Sequence, residues 1–276
     1  MARQKRIALI NDITGFGRCS VTVQLPLISA LRVQACPLPT AILSVHTGFP
    51  NHYLDDYTER MRPYMENWAA NALEFDAILT GFLGSERQIE VVLECIARFK
   101  QRTTQVVVDP VMGDNGSLYS SYTPALCAKM RQLLPQADVV TPNLTEACQL
   151  LGISYPTDGA VTDGELAQMA AAIAAMGPRT VIITGLHAGE NVRTYLYADG
   201  AGQSFDNPKV GRDRSGAGDA FSAIIAAALV RGIPLAEAVR CAADFIGHCL
   251  TYAEELDLPW NHGLPFEEFM GELTTL

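Results

Sequence analysis

Two periodicities alternate along this chain. Short runs dense in aliphatic and β-branched residues, at 6–10, 35–43, 77–80, 105–109, 139–141, 180–184 and 194–197, predict strands. Between several of them, apolar positions recur every three or four residues and predict helices. Ser85 with Gln88 three residues on resembles a capping box, and Ile89, Val92, Leu93, Ile96 and Phe99 follow at helical spacing. Asp163 is placed to cap a helix carrying Leu166, Met169, Ala170, Ile173 and Met176, which stops at Gly177-Pro178. Residues 221–230 are apolar almost without interruption and predict a buried helix, and residues 236–253 predict another. This rhythm predicts an α/β fold with a mostly parallel central sheet and helices on both faces. No linker, repeat or low-complexity tract interrupts it, so a single domain over 1–276 is expected. In such sheets ligands bind beyond the carboxyl ends of the strands, which directs attention to the residues that follow each strand.

The clearest chemistry lies before the buried helix, in Asp213-Arg214-Ser215-Gly216-Ala217-Gly218-Asp219-Ala220-Phe221. Gly216, Ala217 and Gly218 would sit at the helix N-terminus, where backbone N–H groups and the helix dipole favour an anion, phosphate above all. Asp219 beside that anion is placed to take a proton from a hydroxyl attacking a phosphate, which points to phosphoryl transfer to an alcohol. The local alternative is an ordinary turn with an acid in the first helical turn.

Other strand ends add polar groups. After the first strand comes Asn11-Asp12-Ile13-Thr14-Gly15-Phe16-Gly17-Arg18-Cys19-Ser20. A dinucleotide fingerprint fails there, because Ser20 stands where the third glycine belongs, Pro26 interrupts the expected helix and no acid closes a second strand. A Gly-x4-Gly-Lys-Ser/Thr phosphate loop is also lacking. His46-Thr47-Gly48 and Thr80-Gly81-Phe82 suit a flat, partly polar ligand, the alternatives being a backbone-bonded loop histidine and an aromatic packed in the core. Asp109 and Asp114 could face a metal-bound polyphosphate, although Asp114-Asn115-Gly116 is also turn chemistry. Asn143 with Glu146 reads first as a helix capping box closed by Gly152, and the Thr184 hydroxyl could meet a phosphate or nucleotide.

Charge and cysteine usage narrow the setting. A formal charge of −10 argues against a nucleic-acid surface, and the basic cluster at residues 3–6 is terminal. Magnesium-bound nucleotide remains compatible, since the metal supplies the positive charge. The seven cysteines show no CxxC pair, which predicts buried free thiols in a reducing compartment over disulfides or a zinc site. No apolar run approaches the roughly 20 residues of a membrane span, and residues 7–10 are too short for a signal peptide, so a cytoplasmic protein is expected.

Taken in order, these motifs resemble the ribokinase-like superfamily, and within it the pyridoxal and pyridoxamine kinase branch. The likeness runs from Ile10 to about Phe245 and rests on His46-Thr47-Gly48, the run from Asp109 to Asp114, the run from Thr141 to Glu146, and Gly216-Ala217-Gly218-Asp219. It implies ATP-dependent phosphorylation of the 5′-hydroxymethyl group of a B6 vitamer, with Asp219 as base and Gly216, Ala217 and Gly218 as anion hole. Asp109 and Glu146 match the residues around Mg2+, through water, with Asp114 near the phosphates. Asn143 and Thr184 match nucleotide-side positions, and Arg214 or Arg212 could reach nucleotide phosphates or stand solvated in the loop. Asp12, His46, Thr47 and Phe82 would form the substrate pocket. The family also suggests a homodimer, and a monovalent cation such as K+ is compatible with it.

Two positions depart from the branch. Phe82 stands where Tyr is frequent, which keeps an aromatic face without the phenol. Asp12 stands where Ser is frequent, and a carboxylate there could bond a protonated pyridine nitrogen or the ammonium of pyridoxamine. Ala217 and Ala220-Phe221 look closer to sugar kinases, but the first loop lacks their glycine-pair-plus-Asn pattern and no inserted lid hairpin is legible. A hydroxymethylpyrimidine kinase is the nearest rival. A sugar or nucleoside kinase, a non-catalytic vitamer-binding protein and an NAD-dependent oxidoreductase follow.

Overall fold

The computed structural model describes residues 3–156 and 159–276. In chain order its elements are β1 (Arg6–Phe16), α1 (Val21–Ala30), β2 (Gln34–Val45), β3 (Leu54–Asp56), α2 (Thr58–Ala70), β4 (Ala77–Thr80), α3 (Glu86–Phe99), β5 (Gln105–Val108), β6 (Gly113–Asp114), β7 (Ser117–Leu118), α4 (Pro124–Met130), β8 (Val139–Val140), α5 (Leu144–Leu151) and α6 (Asp163–Ala174). There follow β9 (Thr180–Ala188), β10 (Asn191–Ala198), β11 (Ala201–Pro208), α7 (Ala217–Arg231), α8 (Leu235–Glu255) and α9 (Met270–Leu273), with short 3-10 turns between some of them.

One nine-stranded sheet runs β11-β10-β9-β8-β5-β4-β1-β2-β3. Its middle, from β2 to β9, is parallel, and both edges are antiparallel. Side chains alternate across it as strand geometry requires. In β1, Ala8 and Ile10 join the core under α3 and α5, while Ile7 and Leu9 join the core under α1 and α7. Val107 and Ile182 face that second core, and Val106, Val108, Val181 and Ile183 the first. The helices on both faces explain why the central strands read as continuous apolar runs.

α7 carries ten buried residues from Ala220 to Val230 and packs against α1 and α8, as its unbroken apolar run predicts. Ser85 accepts from the Gln88 N–H at the start of α3, whereas the Gln88 side chain bonds Gly84 and Thr40 instead of closing the box. The cap of α6 is Thr162, one residue before Asp163, in a complete box with Glu165.

Two local expectations are corrected, and two features are added to them. α1 continues through Pro26, because losing one N–H bond is offset by burial of Val23, Leu27 and Ile28. β1 extends to Phe16, so the polar stretch from Asn11 belongs to a strand with a register shift between Asn11 and Ile13. The run at 194–197 is an antiparallel strand, paired on its outer side with β11, which the periodicity did not predict. After β2 the chain turns back as the three-residue β3 at the sheet edge. All seven cysteines are free thiols, five of them buried. Among the described residues no helix is long and apolar enough to cross a membrane.

Candidate active site

α7 begins at Gly216, whose φ of 88° and ψ of −9° are left-handed. A Cβ there would lie 2.0 Å from the Arg18 carbonyl oxygen, so only glycine allows the helix start to approach the β1–α1 turn this closely. The first bond of the helical ladder joins the Ala220 N–H to Gly216 O, which leaves the Gly218 N–H ahead of it, and a Cβ on Gly218 would meet nothing within 4 Å. The Ala217 N–H already donates to Arg214 O over a long 3.4 Å.

Asp219 follows in the first turn. Its Oδ1 accepts from Asn11 Nδ2 at 2.9 Å and its Oδ2 from the Ser20 N–H at 2.8 Å. Ser20 and Arg18 hold that turn at φ values of 56° and 45°, an uncommon backbone for non-glycine residues. Burial pushes the Asp219 carboxyl up to about 6; Asp12 adds to the rise, and the two donated hydrogen bonds oppose it. A carboxylate with that value is ionised at neutral pH yet still basic enough to take a proton.

Asp109 follows β5 and Glu146 lies in the first turn of α5; both are buried. Glu146 accepts from the N–H groups of Met112 and Asn143, and Asn143 caps the helix in return, so the capping-box expectation is met in full. Burial raises both carboxyls, with repulsion from Asp219 on Asp109 and from Asp109 on Glu146 adding to it. Among the described residues neither forms an ion pair. The buried hydroxyls of Thr80 and Thr141, after the neighbouring strands, have no hydrogen-bond partner. Carboxyls without ion pairs and unpartnered hydroxyls at the carboxyl ends of adjacent interior strands suit a divalent cation with phosphate oxygens and water. Among the described residues no group of three or more His, Cys, Asp or Glu could hold a metal.

Asp114 lies in the hairpin of β6 and β7, whose two-residue turn, Asn115-Gly116, has φ values of 49° and 78°. This is the turn chemistry foreseen there. Burial raises the Asp114 carboxyl as well. Asn143 Nδ2 donates to Gly113 O and ties that hairpin to α5. Thr184 is not a strand end: β9 continues to Ala188, and Thr184 with Gly185 forms a bulge opposite β10. Arg214 is corrected more sharply. Its guanidinium is buried, pairing with Glu254 at 3.0 Å and donating to Pro259 O at 3.0 Å, so here it ties down the loop and is not free for phosphate. Exposed Arg212 lines a cleft of about 360 Å³ with Arg214, Glu254 and Trp260.

On the acceptor side, Asp12 is buried and accepts from Thr14 Oγ1 at 2.6 Å; burial raises its carboxyl, and the Ser20 and Thr14 hydroxyls partly offset this. His46 accepts from the Gly48 N–H at Nδ1, which fixes Nε2 as the protonated nitrogen donating to Asn261 O at 2.9 Å. Burial holds it below its ordinary value, so it is neutral. The backbone-bonded reading of His46 is therefore the one its contacts match. Thr47 is exposed, and half-buried Phe82 packs edge-on against Tyr122.

Two features were missed. Asn11, fully buried, joins Asp219 to the backbone of Phe82. Residues 259–262 form a strap whose carbonyls accept from Arg214, His46 and Arg18, and whose Trp260 and His262 face an aromatic cluster with His46 and Phe16. Spacing along the chain carried no signal for either.

Comparison with known proteins agrees with this geometry. The family model for phosphomethylpyrimidine kinase matches residues 25–263. A hydroxymethylpyrimidine/phosphomethylpyrimidine kinase of Rhizobium meliloti is 30% identical over 90% of this chain and 91% of its own length. The pyridoxal kinase PdxY of Rubrobacter xylanophilus is 30% identical over 87% of this chain and 84% of its own. A Bacteroides thetaiotaomicron protein, provisionally named a phosphomethylpyrimidine kinase and crystallised in an orthorhombic form with pyridoxal, superposes with a TM-score of 0.94 at 35% identity, covering 99% of this chain and 96% of that one. An acid on a glycine-started helix, set in this sheet, accompanies a match over most of the chain, and the chain belongs to the phosphomethylpyrimidine kinase family, with the ribokinase-like fold.

Proposed function

We propose that this kinase phosphorylates the 5′-hydroxymethyl group of a B6 vitamer. The observation that carries the vitamer reading is the likeness to the Bacteroides protein with pyridoxal, which exceeds in identity the likeness to the Rhizobium pyrimidine kinase. When bound, ATP supplies the phosphoryl group and Mg2+ neutralises its charge. Asp219 orients the acceptor hydroxyl and takes its proton, while the N–H groups of Gly216, Ala217 and Gly218 hold the developing negative charge. Asp109 and Glu146 hold the cation through water, Asp114 and Asn143 keep the hairpin beside it, and Thr184 lies on the nucleotide side. Phe82 offers the ring a face, Asp12 a carboxylate for a protonated nitrogen, and Thr47 a hydroxyl at the rim. His46, with both nitrogens engaged, contributes shape. The reading extends to one catalytic domain over the whole chain, a cytoplasmic setting, a homodimer and compatibility with K+.

The family model and the Rhizobium relative favour a second reading, a hydroxymethylpyrimidine kinase using the same base. Steady-state phosphorylation of pyridoxal, pyridoxamine, pyridoxine and hydroxymethyl-aminopyrimidine with ATP and Mg2+ separates the two. We expect kcat/KM for one B6 vitamer to exceed that for the pyrimidine at least tenfold, with kcat rising through about pH 6 as Asp219 ionises. Asp219→Asn should lower kcat by roughly 10²–10⁴. A preference for the pyrimidine would replace the vitamer reading with the second one.

A further inference from the structure

We propose that Asn11 is a positioning residue for the reaction: a single buried amide sets the base and the acceptor platform in one geometry. The inference rests on the reading of Asp219 as base. Every hydrogen-bonding position of the Asn11 side chain is used. Nδ2 donates to Asp219 Oδ1 and to Gln24 Oε1, both at 2.9 Å. Oδ1 accepts from the Asp12 N–H at 2.9 Å and the Phe82 N–H at 2.8 Å. Turning the amide over would set its oxygen against a carboxylate and a carbonyl oxygen and its NH2 against two N–H donors, so the surroundings permit one orientation only.

The neighbouring residues hold that amide in place. Gln24 is fully buried; its Nε2 donates to Ser222 Oγ at 3.3 Å, and Ser222 Oγ donates to the Asp219 carbonyl at 3.2 Å. A Cβ on Gly81 would lie 2.4 Å from Asn11 Nδ2, so the residue before Phe82 leaves the amide its space. Asn11 thus joins β1, α1, α7 and the segment after β4. Because Asp12 and Phe82 hang from the same oxygen by their own N–H groups, a shift of the amide moves base and acceptor contacts together.

Electrostatics give the amide a second task. The titratable groups that interact with Asp219 are Asp12 from β1, Cys19 from the turn that follows, Asp109 after β5 and Tyr119 after β7, and none of them is basic. Among the described residues, the hydrogen bonds to the Asp219 carboxylate come from Ser20 N–H and Asn11 Nδ2. A neutral donor fits here, since a lysine or arginine would pair with the carboxylate and remove its basicity.

Asn11→Asp is isosteric and keeps the acceptor toward Asp12 and Phe82 while replacing the donor toward Asp219 with an oxygen. With ATP and pyridoxal, or hydroxymethyl-aminopyrimidine if that is the acceptor turned over, we expect kcat to fall at least 30-fold. KM for ATP should change less than twofold, and the acidic limb of kcat should move up by about one pH unit. Gln24→Glu leaves Asn11 in place and removes the donor to Ser222; a fall of about fivefold in kcat with unchanged ATP KM is expected, and this variant carries the test if Asn11→Asp does not fold. Asp219→Asn is run beside them. If it is inactive while the folded Asn11→Asp and Gln24→Glu proteins keep the wild-type kcat and acidic limb, the role of Asn11 is overturned and the base stands. If Asp219→Asn turns over normally, the base assignment fails first.

Discussion

Asp219 and His46 both have every polar atom of their side chains engaged, yet their partners differ in kind. Asp219 is held by a buried amide on the interior strand β1 and by the N–H of Ser20 at the start of α1. His46 is held by backbone atoms of two loops, and its ring packs against Phe49 and the half-exposed Trp260. The phosphate side is thus anchored to the sheet, where any displacement disturbs packed neighbours. The acceptor side is a rim of loops and aromatic rings that can be exchanged with little cost to the fold. Under the proposed function, that difference fits the equal likeness in sequence to relatives named as pyrimidine and as pyridoxal kinases: the anchored half would carry the chemistry and the rim much of the choice of acceptor.

The strongest way to break this contrast is Gly216→Ala. The added methyl meets the Arg18 carbonyl and must adopt a left-handed backbone, so α7 withdraws from the turn that presents Ser20 to Asp219. We expect kcat to fall roughly 10²- to 10³-fold, on the scale of losing an anion-hole donor, measured by steady-state kinetics beside a melting curve. A drop below tenfold in a folded variant would mean that the anchored half is not rigid. Asp12→Ser probes an acceptor contact proposed on β1 itself, inside the anchored half. If the carboxylate bonds an ammonium, kcat/KM for pyridoxamine relative to pyridoxal should fall about tenfold, in line with a charge-assisted hydrogen bond; an unchanged ratio removes Asp12 from vitamer choice.

The smallest effect sharpens the comparison through stability. Burial raises the Asp109 carboxyl, so its neutral form favours the folded state. That stability is present below the ordinary carboxylate pKa and is lost as pH rises through the folded value. Asp109→Asn stays neutral and should therefore raise the melting temperature at pH 8 by a few degrees, for about 1 kcal/mol, with no gain at pH 4. It should also lower activity, since the carboxylate serves the cation. A melting temperature unchanged at pH 8 would show that the carboxylate costs the fold nothing.

Much of the anchored half was legible because its signals are local. Glycine, small residue, glycine and acid before a nearly unbroken apolar run define a helix start and set an acid in its first turn within a few positions. The capping box of Asn143 and Glu146 was equally local. The edge was misread although Asp199-Gly200, with φ values of 51° and 79°, carries the strongest short-range hairpin signal and joins β10 to β11. The long-range contacts resisted in both halves for a different reason. His46 meets Asn261, Arg214 meets Pro259 and Asn11 meets Phe82 and Asp219, pairs separated by up to 215 positions that no periodicity records. Arg214 looked like a phosphate ligand because its loop is close to one, and only tertiary contacts reveal the carboxylate and carbonyl that already hold it.

The strap at residues 259–262 also bears on the order in which the protein can be assembled. Chains are made from the amino end, and their early segments can begin to fold during synthesis. The sheet, α7 and the base are all encoded before residue 232. The nascent chain can therefore build its phosphate side while Arg18, His46 and Arg214 still lack the carbonyls that receive them. Those three side chains, drawn from distant stretches, gain these partners only when about the last fifteenth of the chain arrives. The loop rim is thus completed only after the part of the molecule that carries Asp219 can form, and the strap acts as the clasp that closes it.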